Sequence, residues 1–287
     1  MITQNNASTN NKATVTQKGV TGLDGNVATI NQNDQSSGQQ ATAKQDGTNL
    51  ISNINQNGNT TALKTSSGNK ATTDQTGIDH QATVSQSAGG NGVSSTNEAL
   101  ITQVGTALAH TAFIYQDDVS TANKATVSQA GSGHNATVYQ TGVLFGAPGV
   151  GAASGVITVD QSGTRHVANV YQANNSQFDK TTVTQSGQTN VTNVFQAVNS
   201  NTNTAIVTQA GTSLTANVEQ SFTASTNRGT VTQSGATNTG RILQNGTASN
   251  NTGTITQSGT GGFAQITQRT NLQNSVGEIK QIGRAHV

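Results

Sequence analysis

The chain has no cysteine, no tryptophan and a single proline, Pro148; aromatic residues make up 3% and charged residues 9% of its 287 positions. Each shortage removes a class of protein. Without cysteine there is no disulfide scaffold and no thiolate metal site. The thirteen Lys and Arg are scattered and balanced by twelve Asp and Glu, so there is no basic patch for nucleic acid. No apolar run approaches the ~20 residues that would insert a helix into a bilayer. Hydrophobic residues reach only 31%, below the roughly 45–50% of a globular core. Such a polar chain can be ordered only if its few apolar residues recur in one register.

They do recur. Lys124-Ala125-Thr126-Val127-Ser128-Gln129-Ala130-Gly131 is followed by Ala136-Thr137-Val138-Tyr139-Gln140, and the same sentence returns along the whole chain. The repeat glutamines are Gln4, Gln17, Gln32, Gln45, Gln56, Gln75, Gln86, Gln103, Gln116, Gln129 and Gln140, then Gln161, Gln172, Gln185, Gln196, Gln209, Gln220, Gln233, Gln244, Gln257, Gln268 and Gln281. From Gln161 onward the spacing alternates between 11 and 13, so two segments make a repeat of 24 residues. Segment A is the one followed by Gln-x-Gly, and segment B is its partner. Gly19, Gly47, Gly77, Gly105, Gly131, Gly163, Gly187, Gly211, Gly235 and Gly259 stand two places after an A glutamine, where a tight corner with positive φ is expected. Departures from the period are insertions between segments. The largest, from about Val143 to Gly155, holds Leu144, Phe145 and Pro148.

Within a segment the apolar period is two. Ala125 and Val127, Ala168 and Val170, Ala216 and Val218, and Gly253 and Ile255 precede their glutamines by four and two residues. Side chains of a strand alternate faces, so a small residue, a branched residue and Gln share one face of a five-residue strand. The fold expected is all-β: a β-solenoid of about eleven stacked coils, two short strands per coil, with a cross-β-like core of Gln and Asn ladders in which each buried amide bonds its equivalent one coil away. Residues 1–281 form one array. Met1-Ile2-Thr3-Gln4 reads as the end of a repeat strand with no signal peptide before it, so both ends are expected to be truncated. Residues 282–287, Ile-Gly-Arg-Ala-His-Val, read as translated sequencing adapter and are given no function.

The A-to-B unit, Gln-x-Gly-x-x-Asn-x-Ala-x-x-x-Gln in outline, is supplied by Gln75, Gly77, Ala82 and Gln86 and by Gln185, Gly187, Asn190 and Gln196. It resembles the curlin repeat of bacterial curli, the secreted functional amyloid of biofilm matrix, over nearly the whole chain. The resemblance implies a subunit secreted to the cell surface that polymerises with itself end to end into adhesive fibres, with a nucleator subunit and a secretion pore as partners and no cofactor. The chain looks like a longer relative of the major subunit. The leading Ser of the family repeat fits at Ser120, Ser176 and Ser200 but is Ala224 and Ala248 elsewhere.

Several other residues invite a functional reading. Neither end carries a capping helix, which points to axial polymerisation. His80, His110, His134 and His166 each lie six residues before a B glutamine. Stacked about 5 Å apart, they could hold a metal or sense pH, or simply replace Asn in a polar corner ladder; no metal is assigned to them. His286 belongs to the tail. Outward A positions carry Thr14 and Thr16, Thr182 and Thr184, Thr230 and Thr232, and Thr254 and Thr256. The alternative function is therefore an ice-binding β-solenoid, although Lys44, Asp74, Asp160, Ile206, Glu278 and Lys280 interrupt that face and Thr favours strands anyway. Outward B positions carry Phe113, Tyr115, Tyr139, Tyr171 and Phe195, suited to bundling, to a planar or sugar ligand, or to stacking within the sheet. An enzyme is not expected. Paired carboxylates and a Ser-His-Asp grouping are missing, Gly89-Gly90-Asn91-Gly92 lacks the Asp of a calcium-binding repeat, and the pattern offers no pocket.

Overall fold

The computed structural model describes residues 1–4, 8–19, 25–33, 35–58, 66–88, 94–117, 120–141, 153–173, 176–269 and 271–284. Leu144, Phe145 and Pro148 of the largest insertion, the segment 89–92, and His286 lie outside them. Among the described residues there is no helix, and the chain winds into a β-solenoid with two parallel sheets of eleven strands each. The A sheet runs from Lys12–Lys18 to Val276–Arg284, and the B sheet from Ile2–Thr3 to Phe263–Arg269. Ten A–B pairs form complete coils, flanked by a B strand at the start and an A strand at the finish.

Register follows the glutamines. Gln129 is paired with Gln103 on one side and Gln161 on the other, and Gln140 with Gln172, so every coil places the same letter of the repeat over the last. Ala125, Val127 and Gln129 are buried, as are Ala136, Val138 and Gln140, and their neighbours Thr126, Ser128, Thr137 and Tyr139 face outward. One Val or Ile per strand makes most of the dry seam, with Ala43 and Thr73 in its place in two A strands. The inner sides of the two sheets meet along it, with a small residue on one flank and the amide on the other.

Two features exceed the expectation. Many strands are longer than five residues: A strands such as Lys180–Gln188 have nine and later B strands such as Val191–Ala197 have seven, whereas the B strands Val27–Asn31, Ile51–Asn55, Gln81–Ser85 and Thr111–Tyr115 keep the expected five. Pairing with the coils above and below keeps the backbone extended past the glutamine. A third, narrow column also lies in the B-to-A corner. Ser36–Ser37, Ser66–Ser67, Ser94–Ser95 and Ser120–Thr121 form a short parallel sheet. Single bridges from Thr121 through Ala153, Gln177, Asn201, Ser225 and Ser249 to Gln273 carry it onward. The backbone of 282–284 continues the last A strand, opposite Ser258, Gly259 and Thr260.

Candidate functional site

The chemistry of this molecule lies in columns of equivalent side chains that run along the axis. In the A column, Nε2 of each Gln donates to Oε1 of the Gln one coil on. The bonds run unbroken through Gln17, Gln45, Gln75, Gln103, Gln129, Gln161, Gln185, Gln209, Gln233, Gln257 and Gln281 at 2.7–3.1 Å. The B column does the same through Gln4, Gln32, Gln56, Gln86, Gln116, Gln140, Gln172, Gln196, Gln220, Gln244 and Gln268. The second Nε2 hydrogen crosses to a main-chain carbonyl, Val191 for Gln209 at 3.1 Å and Thr204 for Gln220 at 3.2 Å. Buried Thr181 and Thr192 donate to Gln196 and Gln209. An unpaired amide in such a core would cost about 1–3 kcal/mol. Among the described residues only Thr3 Oγ1 is buried without a partner.

The glycines after the A glutamines stand in the strand rather than at the apex of the corner. A methyl group on Gly187 would lie 2.2 Å from the carbonyl oxygen of Gly211, and one on Gly211 would lie 2.1 Å from that of Gly235. The same close approach links Gly47, Gly77, Gly105, Gly131 and Gly163 to their successors, and Gly235 to Gly259. Close stacking of main chain on main chain is thus what excludes a side chain, and φ is positive at Gly187 (+94°) and Gly235 (+85°) as well. Gly19 lies just past the end of the first A strand. The sharp turn comes two residues later, at Asn49, Asp79, Gly133, Arg165, Thr189, Ser213, Thr237 and Gly261, all with φ between +53° and +72°.

The residue after that turn folds inward and forms the next column. His80, His110, His134 and His166 are buried there, with successive ring centroids 4.5, 4.9 and 5.0 Å apart. The main-chain N–H of His110, His134, His166 and Asn190 donates to Nδ1 of the histidine one coil back, at 3.1–3.2 Å. Nε2 then carries the ring proton and donates to a carbonyl: Gly105 for His80 at 2.9 Å, Ala130 for His134 at 3.0 Å and Ser162 for His166 at 2.8 Å. Asn190 and Asn238 occupy the same register with the same bonds. Their Oδ1 accepts the N–H of Leu214 and Gly262, and their Nδ2 donates to Ser186 and Ser234. Histidine here is a larger Asn. Parallel rings with both nitrogens engaged do not converge on a metal, and among the described residues no cluster of three His, Asp or Glu is placed to hold one.

A matching column in the B-to-A corner went unread in the sequence, although its signal is the same offset of six before an A glutamine. Asn69, Asn97, Asn123, Asp179, Asn203, Asn227 and Asn251 occupy it. Asn97 N–H donates to Oδ1 of Asn69, and Asn227 N–H to that of Asn203, both at 2.8 Å. Ser66, Ser94, Ser120 and Ser200 hydroxyls accept from the Asn amides. Asp179 is the exception: a buried carboxylate that takes the hydroxyls of Ser176 and Ser200 at 2.6 and 2.7 Å and the N–H of Asn203 at 2.6 Å. Burial pushes it up to about 6, against those three bonds.

The outer faces are simpler. Thr182 and Thr184, Thr230 and Thr232, and Thr254 and Thr256 lie in register on the A sheet, with Ile206 among them. Lys44 pairs with Asp74 in the next coil at 3.1 Å, and Glu98 lies between Lys70 and Lys124 at 3.4 and 3.2 Å. On the B sheet Tyr115, Tyr139 and Tyr171 stack at 4.7 and 5.0 Å. Phe195 tilts away by 49° beside an open groove of about 430 Å³ that reaches Glu219 and Arg241. Phe113 lies against Tyr115 of its own strand.

With these columns in place the comparison with known proteins can be read residue by residue. Residues 226–259 match the family model of the curlin associated repeat. That segment contains the A strand Arg228–Ala236, the B strand Thr239–Asn245, and the next A strand as far as Gly259. It therefore takes in Gln233, Gln244 and Gln257 with their column bonds, and Gly235 and Gly259 with their close stacking. The likeness read from the Gln, Gly and Asn spacing is borne out on this coil. No curated protein matches the chain.

Proposed function

We propose that this protein is a structural subunit of a curli-like extracellular amyloid fibre, self-assembling end to end to serve biofilm matrix and adhesion. One observation carries the reading: the surface between any two coils is the same surface throughout. Each coil presents upward the amide, N–H and C=O partners that the coil above it needs from below, and a repeat built this way fits another copy as well as it fits itself. The curlin associated repeat at 226–259 supports the same reading, since that family is structural. Homopolymer growth, a nucleator subunit, a secretion pore and an extracellular location belong to this proposal by resemblance.

The purified chain at neutral pH should form self-seeding, thioflavin-binding fibres whose diffraction has a meridional spacing near ~4.7 Å and an equatorial one near ~10 Å. Gln209→Leu with Gln220→Leu, which cuts both amide columns, should slow seeded growth. A folded protein that stays monomeric would overturn the proposal, and unchanged growth of the double variant would remove the amide columns as its cause.

A further inference from the structure

We infer that the His80–His110–His134–His166 stack is an acid-labile lock, holding the middle coils together only while all four imidazoles are neutral. The geometry requires the neutral form. Every Nδ1 lone pair in the stack already accepts a main-chain N–H from the next coil, at 3.1–3.2 Å. A proton added at Nδ1 would set N–H against N–H and break the bond that joins one coil to the next. The rings lie 4.5–5.0 Å apart, so two adjacent imidazoliums would also repel each other inside the protein.

Little nearby offsets that charge. Among the described residues, the charged groups closest in the chain are Asp79 and Arg165, both exposed. Asp79 favours a charged His80 weakly, and the Arg165 stem lies against Gly133. Asp46, one coil below His80, is paired with Lys18. The groups packed on the imidazole edges are carbonyls of Thr76, Gly105, Val104, Ala130 and Ser162, all neutral acceptors.

Burial is accordingly the main force that lowers each of the four, with His110 brought down to about 4 by burial and by the neighbouring His80. A histidine depressed in the folded state leaves stability intact above its unfolded value of ~6.5 and erodes it as pH falls from there toward the folded value. For His110 alone the ratio of folded to unfolded chain should fall about 25-fold between pH 7 and pH 5, and the other three add in the same direction. The inference concerns the coils themselves and does not depend on the chain forming fibres.

The register supplies its own control, because Asn190 and Asn238 make the same bonds without a titratable group. Hydrogen exchange of the full chain, corrected for intrinsic rate, should show the amides of His110, His134, His166 and Asn190 opening at least ~10-fold more readily at pH 5 than at pH 7.5. In the His80→Asn, His110→Asn, His134→Asn, His166→Asn variant that acid opening should disappear, leaving only the opposite trend set by Asp179, which is common to both proteins. Equal pH dependence in the two would overturn the inference. Imidazole ¹⁵N spectra of the unsubstituted chain test it without any variant. The Nε2–H tautomer persisting below pH 5.5 in the folded protein supports the lock, and titration near 6.5 with the coils intact refutes it.

Discussion

The two corners of each coil solve one problem in two ways. In both, a residue with φ near +55° turns the chain, and the next residue points inward; where it is Asn, Asp or His its side chain receives the N–H of its equivalent in the following coil. The A-to-B corner is short. It follows the strand glycines whose main chains touch, and its column is filled by Asn, His, Leu and, at Gly262, glycine. The B-to-A corner is longer: it carries the narrow third column and most of the insertions, has a second positive-φ site in the coils of Val198, Phe222 and Gly246, and holds Asn, Ser and, among the described residues, one buried carboxylate, Asp179. Tight backbone contact leaves the first corner little freedom. The second is built on side-chain hydrogen bonds, which accept more variation. The polar occupants also respond oppositely to acid, since a neutral imidazole is lost on protonation and a buried carboxylate is relieved by it.

The largest test of that contrast is an alanine in each corner. Gly211→Ala forces a methyl to 2.1 Å from a main-chain oxygen that no side-chain rotation can move. It should cost about 3 kcal/mol or more, or prevent that coil from stacking. Gly38→Ala, in the B-to-A corner, has its nearest neighbour at 3.9 Å and φ of +63°, so only backbone strain of about 1–2 kcal/mol is expected. Denaturant midpoints of the two variants should differ accordingly, and similar losses would mean that the glycine column is not held by contact between coils.

Asp179→Asn should act next most strongly. With its carboxyl raised from 3.8 to about 6, the folded chain favours the protonated acid. The stability this contributes is full below the unfolded value and is lost as pH rises through about 6. At pH 7.5 the ionised group therefore weakens the fold by about 3 kcal/mol, and the amide should recover about 2 kcal/mol of that, with little change at pH 4. An equal gain at both pH values would trace the effect to packing rather than to charge.

The smallest effect is expected at Val198, a β-branched residue held at φ +61°. Asn tolerates that conformation far better, so Val198→Asn should raise the unfolding midpoint by the equivalent of about 1 kcal/mol. No change would show that the B-to-A corner relaxes around its turn residues.

Much of this was legible in the residue spacing. Gln161, Gln172, Gln185 and Gln196, with Val or Ile two places before each, were enough to place the strands, their inner face and the amide ladders, because a period-two pattern repeated at fixed intervals has one parallel stacking that keeps all its amides paired. The histidines were legible as a register but not as bonds. The Nδ1 contact is made to the next coil, 24–32 residues away, and no local pattern reports it. The turn residues were only weakly legible: Asn49, Asp79, Gly133 and Gly261 suit a positive φ, but Arg165, Thr189 and Ser213 hold the same place without that preference. What they share is a backbone angle imposed by the strands on either side.

The sequence by itself thus determined the period, the faces and the parallel register, since those depend on which residue types recur and at what interval. Only the tertiary structure decided why glycine is needed after the A glutamines, which imidazole nitrogen is occupied, and that Asp179 is sealed in an Asn column. Each of those depends on distances of two to three ångströms between residues in different coils, and these exist only once the coils are stacked.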